Sequence, residues 1–181
     1  MNRIVFAALA GVALAASPAR AELPVGASAP TFATQAALGG KAFAFNLKAA
    51  LAKGPVVLYF FPKAFTPGCT LEAHAFAEAT PEFEKLGATI IGLSNDNLDE
   101  LKKFSVLECR NKFPVGAATP AIDDAYDVHL VRDGKDTGLT SRTSYVIDQS
   151  GKIVLVHSDM DYKDHVKLTL AAVKKLAQEH H

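Results

Sequence analysis

The apolar positions along the chain change period several times, and the changes mark its elements. Val56-Val57-Leu58-Tyr59-Phe60-Phe61 is an unbroken run of β-branched and aromatic residues, which predicts a strand buried on both faces. Pro62 ends it, and Lys63 to Gly68 reads as a loop. From Cys69 the spacing turns helical, with Leu71, Ala75, Ala79, Phe83 and Leu86 predicted to form one apolar stripe. Pro81 is expected to kink or restart this helix, and Gly87 to stop it. Ala88 to Leu93 predicts a second buried strand. Ser94-Asn95-Asp96-Asn97 is a capping cluster, after which Leu98, Leu101 and Phe104 begin an amphipathic helix expected to run to about Lys112.

The flanks read less sharply. Leu23 to Gly40 is a Pro/Gly/Ala-rich lead-in. Lys41 to Leu47 predicts a short strand carrying Phe43 and Phe45, and Asn46 to Lys53 a brief helical turn broken by Gly54-Pro55. Ala121 to Tyr126 predicts a short helical turn, and polar Arg132 to Thr140, with Gly134 and Gly138, a loop. Thr143 to Ile147 and Lys152 to His157 flank Asp148-Gln149-Ser150-Gly151 and predict a hairpin. Val166, Leu170, Val173 and Ala177 mark a last helix, and no internal repeat is visible. This order predicts a layered α/β domain whose mixed central sheet is flanked by helices, with parallel crossovers first and an antiparallel pair near the end.

The start of the chain has a different character. Met1-Asn2-Arg3 is positive, Ile4 to Ala16 is apolar, and Ala19 and Ala21 give small-x-small spacing, the pattern of a secretory signal peptide cleaved between Ala21 and Glu22. A membrane anchor is the alternative, although the apolar run is shorter than the ~20 residues of a spanning helix. The expected division is therefore 1–21 as signal peptide and 22–181 as one domain, exported and, in this reading, periplasmic. The 181 residues, 49% hydrophobic, suffice for a single core. Nineteen basic residues balance nineteen acidic ones, with no basic stripe, which argues against a nucleic-acid partner. Two cysteines exclude a disulfide scaffold and a four-cysteine zinc site, and His74, His129, His157 and His165 match no metal-ligand spacing. No cofactor or metal is expected.

Candidate chemistry centres on Cys69, where a buried strand has ended and a helix begins. Unpaired amides and the positive end of the helix dipole favour a thiolate there, so Cys69 is a candidate nucleophile. Pro67 and Gly68 hold the preceding loop tight. A cysteine hydrolase would need a histidine base beside Cys69, and His74, five residues along a helix, points elsewhere.

Pro62-Lys63-Ala64-Phe65-Thr66-Pro67-Gly68-Cys69-Thr70-Leu71-Glu72 resembles the active-site segment of peroxiredoxins, most closely the bacterioferritin-comigratory-protein/PrxQ-type branch. Ser141-Arg142-Thr143-Ser144-Tyr145-Val146-Ile147-Asp148 resembles the family's second segment, which supplies an arginine to the same site. The resemblance, over roughly Leu23 to Leu176, implies a thioredoxin-like fold and a thiol-dependent peroxidase acting on hydrogen peroxide or organic hydroperoxides. It implies Cys69 as the peroxidatic nucleophile, Thr66 offering its hydroxyl to sulfur and peroxide, Pro62 shielding the pocket, Arg142 donating to the peroxide, and Glu72 orienting Arg142. A thiol–disulfide oxidoreductase and a non-enzymatic redox sensor are the alternatives; the former ordinarily uses Cys-x-x-Cys, and position 72 is Glu.

The resolving step is open. Where much of this branch has a second cysteine, five residues after the first, this chain has His74. On a helix reaching Lys112, Cys109 falls about 20° from the direction of Leu98, on the inward side. Some relatives of this branch place a resolving cysteine on that helix, which makes Cys109 the candidate, joined to Cys69 after local unwinding. An inert buried Cys109 and resolution by an external thiol stand beside it. A thioredoxin-like or small-thiol reductant, and a monomer or weak homodimer, complete the expectation.

Overall fold

All five residues of β3 (Val56–Phe60) are buried, and the strand lies inside a seven-stranded sheet. Its side chains alternate between two cores. Val57, Tyr59 and Phe61 join one cluster, Val56, Leu58 and Phe60 the other. The computed structural model describes residues 22–179; the expected signal segment and the His180-His181 pair lie outside them.

The sheet runs β2-β1-β5-β4-β3-β8-β9, where β1 is Ala33–Leu38, β2 Lys41–Asn46, β4 Thr89–Ser94, β5 Val115–Ala117, β8 Thr143–Ile147 and β9 Ile153–Ser158. β3, β4 and β5 are mutually parallel, whereas β8 pairs antiparallel with both β3 and β9. The predicted layered α/β architecture and mixed sheet are thus present. One face carries α2 (Pro67–Lys85), α3 (Leu98–Leu107) and α5 (His165–Glu179), the other α1 (Leu47–Leu51) and α4 (Pro120–Tyr126). Among the described residues no helix is long and apolar enough to cross a membrane.

Several expectations are corrected. The lead-in contains β1, and its antiparallel turn to β2 is Gly39-Gly40, both at positive φ. The short β5 also arises from sequence not read as a strand. The stretch expected to be a loop forms β6 (His129–Arg132) and β7 (Lys135–Thr140), closed by Asp133-Gly134 with φ of 49° and 73°. Asp-Gly at two positive-φ positions is a strong hairpin signal, masked because β7 is mostly exposed and lacks an apolar face.

Helix α2 begins at Pro67 rather than Cys69, since proline suits the first helical position. It continues through Pro81, neither restarted nor ended there. Its buried stripe is Cys69, Glu72, Ala73, Phe76, Ala77, Thr80 and Phe83; Leu71 is exposed, so of the expected stripe only Phe83 lies deep. Polar Glu72 and Thr80 interrupt the true stripe and disguised it. Helix α3 ends at Leu107, short of Lys112, because Arg110 and Asn111 both adopt positive φ. Cys109 is therefore not on the helix but in the turn that follows it.

Candidate active site

The site is built where β3 hands over to α2. Thr66 is the N-cap, extended at φ −79° and ψ 149°, and the first helical bond runs from Thr70 N–H to its carbonyl at 2.9 Å. Cys69 sits in the first turn, among amides with no intrahelical acceptor, and is 2% exposed. Period-3.6 spacing puts Glu72 on the same inward face.

Across from it, Arg142 immediately precedes β8, whose alternation carries Ser144 and Val146 to the same side. Its guanidinium makes three directed bonds. Nη1 donates to Glu72 Oε2, Nε donates to the Met160 carbonyl at 3.0 Å, and Nη2 donates to Cys69 Sγ at 3.5 Å. A planar fork with every edge committed cannot swing, which distinguishes arginine from lysine here. Gly68 permits the approach: a β-carbon there would stand 3.1 Å from Nη2.

Glu72 and Arg142 are both buried, Glu72 fully and Arg142 to within 4%. Burial raises the Glu72 carboxyl to about 8, outweighing the opposing pull of Arg142. For Arg142, burial opposes the charge, and the neighbouring Glu72 carboxylate and Cys69 sulfur more than offset it, holding the guanidinium above its ordinary value. Among the described residues, Glu72 Oε1 has no hydrogen-bond partner.

Pro62 is buried just past the end of β3. Thr66 differs from expectation: its hydroxyl donates to the Lys63 carbonyl at 2.9 Å and not to sulfur. That bond uses its only hydrogen, leaving its lone pairs to accept from an incoming O–H.

Three features escaped the sequence reading. Asp96, read as part of a capping cluster, reaches back instead: its Oδ2 accepts from Ala64 N–H at 2.7 Å and from Ser94 Oγ at 2.8 Å. It thereby anchors the loop in which Phe65 holds a positive φ of 61°. Phe65 packs edge-on against Phe104 at 5.2 Å. Tyr59 on β3 is buried, and that burial above all holds its phenol well above the ordinary range. Gly92, its partner on β4, leaves room for that ring.

Cys109 is fully buried and unpaired, as is Cys69. Burial, with the charge of Glu108 second, holds its thiol well above the usual range, so in this conformation it stays protonated. Its turn is tied to α2 by His74 Nε2 with Glu108 Oε2 at 2.7 Å and by Arg110 Nη1 with Glu78 Oε1 at 3.1 Å.

The chain is similar to known proteins along most of its length. A model of the AhpC/TSA family matches residues 25–156. Peroxiredoxin Bcp of Bacillus subtilis is 31% identical over 126 residues, covering 68% of this chain and 80% of that protein. The structure resembles the crystal structure of peroxidoxin BcpB from Mycobacterium tuberculosis, with a TM-score of 0.75 and 29% identity over 84% of this chain and 97% of that one. It also resembles the bacterioferritin comigratory protein of Xanthomonas campestris, studied for alkyl peroxide reduction, with a TM-score of 0.69 and 30% identity over 79% and 91% of the two chains. With a buried cysteine at a helix start facing an arginine, on a thioredoxin-like fold, the chain belongs to the AhpC/TSA family and is a peroxiredoxin, a thiol-dependent peroxidase.

Proposed function

We propose that Cys69 is the sulfur that peroxide oxidises and Cys109 the thiol that resolves it. The observation carrying the reading is Arg142 Nη2 at 3.5 Å from Cys69 Sγ, with the other guanidinium edges already engaged. The Cys69 thiolate attacks one oxygen of hydrogen peroxide or an organic hydroperoxide. An S–O bond forms, the O–O bond breaks, and the second oxygen leaves as hydroxide or alkoxide, which takes up a proton. Arg142 stabilises the charge spreading along S–O–O, and Thr66 accepts from the peroxide O–H. Pro62 keeps water from the sulfur, and Glu72 orients the arginine.

The product is a sulfenic acid. Cys109 condenses with it, forming the disulfide and releasing water. Cys109 needs to leave its buried turn first, because a protonated thiol is a poor nucleophile. A thioredoxin-like or small-thiol reductant then returns both sulfurs to thiols. The alkyl peroxide reduction attached to the Xanthomonas relative supports an organic hydroperoxide as one substrate. Export to the periplasm, after removal of residues 1–21, and a monomer or weak homodimer complete the reading.

Mass spectrometry of the reduced protein after one equivalent of peroxide is the test. The expected result is an intramolecular Cys69–Cys109 link, replaced in Cys109→Ser by a dimedone-trappable sulfenic acid at Cys69. A lasting Cys69 sulfenic acid with Cys109 still reduced in the wild type would overturn the resolving role.

A further inference from the structure

The peptide segment that holds Arg142 Nε is exposed. Ser158 to Asp161 all face solvent, yet Met160 presents its carbonyl inward to the guanidinium at 3.0 Å. An exposed turn supplies a fixed acceptor only if something buried anchors it. The anchor is His165, the first residue of α5, which is fully buried. Its Nε2 lies 2.9 Å from the Asp159 carbonyl. A carbonyl only accepts, so Nε2 carries the hydrogen, and Nδ1 is left as the acceptor for Ser144 Oγ at 2.8 Å. Burial supports this neutral tautomer by lowering the imidazole to about 4.

Both partners of the ring lie next to Arg142, one by a hydrogen bond and one along the chain. Asp159 N–H donates to the Arg142 carbonyl at 3.2 Å, and Ser144 lies two residues along the same face of β8. The ring is enclosed by charged and titratable groups from each packed element. Glu72 of α2 brings Oε1 to 3.7 Å of Nδ1. His157 of β9 stacks edge-on with ring centroids 4.5 Å apart. Arg142 and Asp159 complete the surroundings.

We propose that His165 is a positioning residue for the peroxidase reaction: by pinning the Asp159–Met160 turn it fixes the acceptor of Arg142 Nε, and so the direction in which Nη2 faces Cys69. The proposal rests on Arg142 and Cys69 being the reacting centre. His165 touches neither sulfur nor substrate. A guanidinium on a long side chain aims one edge only when the others are held. Glu72 holds Nη1, and Nε stays held only while the turn does.

The test is the second-order rate of Cys69 oxidation by hydrogen peroxide, measured against pH in the full chain. His165→Leu removes the anchor, and the rate at neutral pH is expected to fall about tenfold with the pH midpoint of the reaction displaced. His165→Gln places an amide N–H near Nε2 and is expected to restore the rate to within about threefold, together with the midpoint. His165→Asn, too short to reach Asp159, behaves like Leu and serves if Leu fails to fold. Rates and midpoints equal to wild type in Leu or Asn, even with a lowered Tm, would show a merely structural histidine and overturn the proposal. Cys69→Ser in the same assay separates the layers: retained peroxide reactivity defeats the underlying reading, whereas its loss alongside unchanged His165 variants defeats the positioning role alone.

Discussion

Arg142 commits Nη1 to Glu72 and Nε to the Met160 carbonyl, and Cys69 receives the edge that remains. Thr66 makes the opposite kind of commitment, giving its one hydrogen to Lys63 and keeping its lone pairs. In the proposed mechanism, removing that hydroxyl leaves a peroxide O–H without an acceptor. Thr66→Val is therefore expected to slow peroxide reduction about a hundredfold, and Thr66→Ser to recover most of it, in a steady-state peroxidase assay. Cys69, Thr66, Glu72 and Arg142 were legible because two short segments carry them at distinctive spacing. The partners that hold them were not. Asp96 sat in a cluster where Asn97 does the helix capping, accepting from Glu100 N–H, and its reach back to Ala64 leaves no local pattern. His165 matched no motif because its partners, Ser144 and Asp159, meet it only through the sheet.

In the proposed mechanism, turnover depends on α2 and on the turn after α3. For Cys109 to meet Cys69, that turn has to move, and two side-chain contacts, His74 with Glu108 and Arg110 with Glu78, hold it against α2. Both are partly exposed, so each is worth at most about 1 kcal/mol. Replacing His74 with Ala, or Glu108 with Gln, is thus expected to speed disulfide formation by about two- to fivefold, with the first oxidation of Cys69 unchanged. Rapid-quench mass spectrometry that separates sulfenic acid from disulfide checks this; a slower resolution phase contradicts it. The sequence placed a helix here but overran its end. Arginine and asparagine at positive φ stop α3, and arginine gives little warning of that. The β3–α2–β4 unit was readable because continuous apolar strands flank a long helix. β1 was missed because its three alanines weaken the strand signal.

At the scale of the whole molecule, the site imports buried titratable groups that couple folding to pH. A free histidine charges near 6.5, whereas buried His165 does so only near about 4. Between those values the unfolded chain binds the extra proton, so His165 lowers stability as pH falls from 6.5, by up to about 1.4 kcal/mol per pH unit. Glu72 acts with the opposite sign: its carboxyl holds a proton up to about 8 when folded but only to 4.5 when unfolded, so stability falls as pH rises through that range. Glu72 is present in both proteins when wild type is compared with His165→Gln. The wild type is expected to lose stability relative to that variant as urea melts are taken from pH 6.5 toward pH 4; a constant difference contradicts the buried neutral ring. In the proposed mechanism all of these groups serve one sulfur, and the rate at which that sulfur reacts tests it most directly. Stopped-flow oxidation of the reduced protein by hydrogen peroxide should be fast in the wild type, absent in Cys69→Ser, and slower by about a hundredfold in Arg142→Lys, which keeps the charge but not the fork. Unchanged oxidation in either variant would contradict the claim that Cys69, aimed at by Arg142, is where peroxide is reduced.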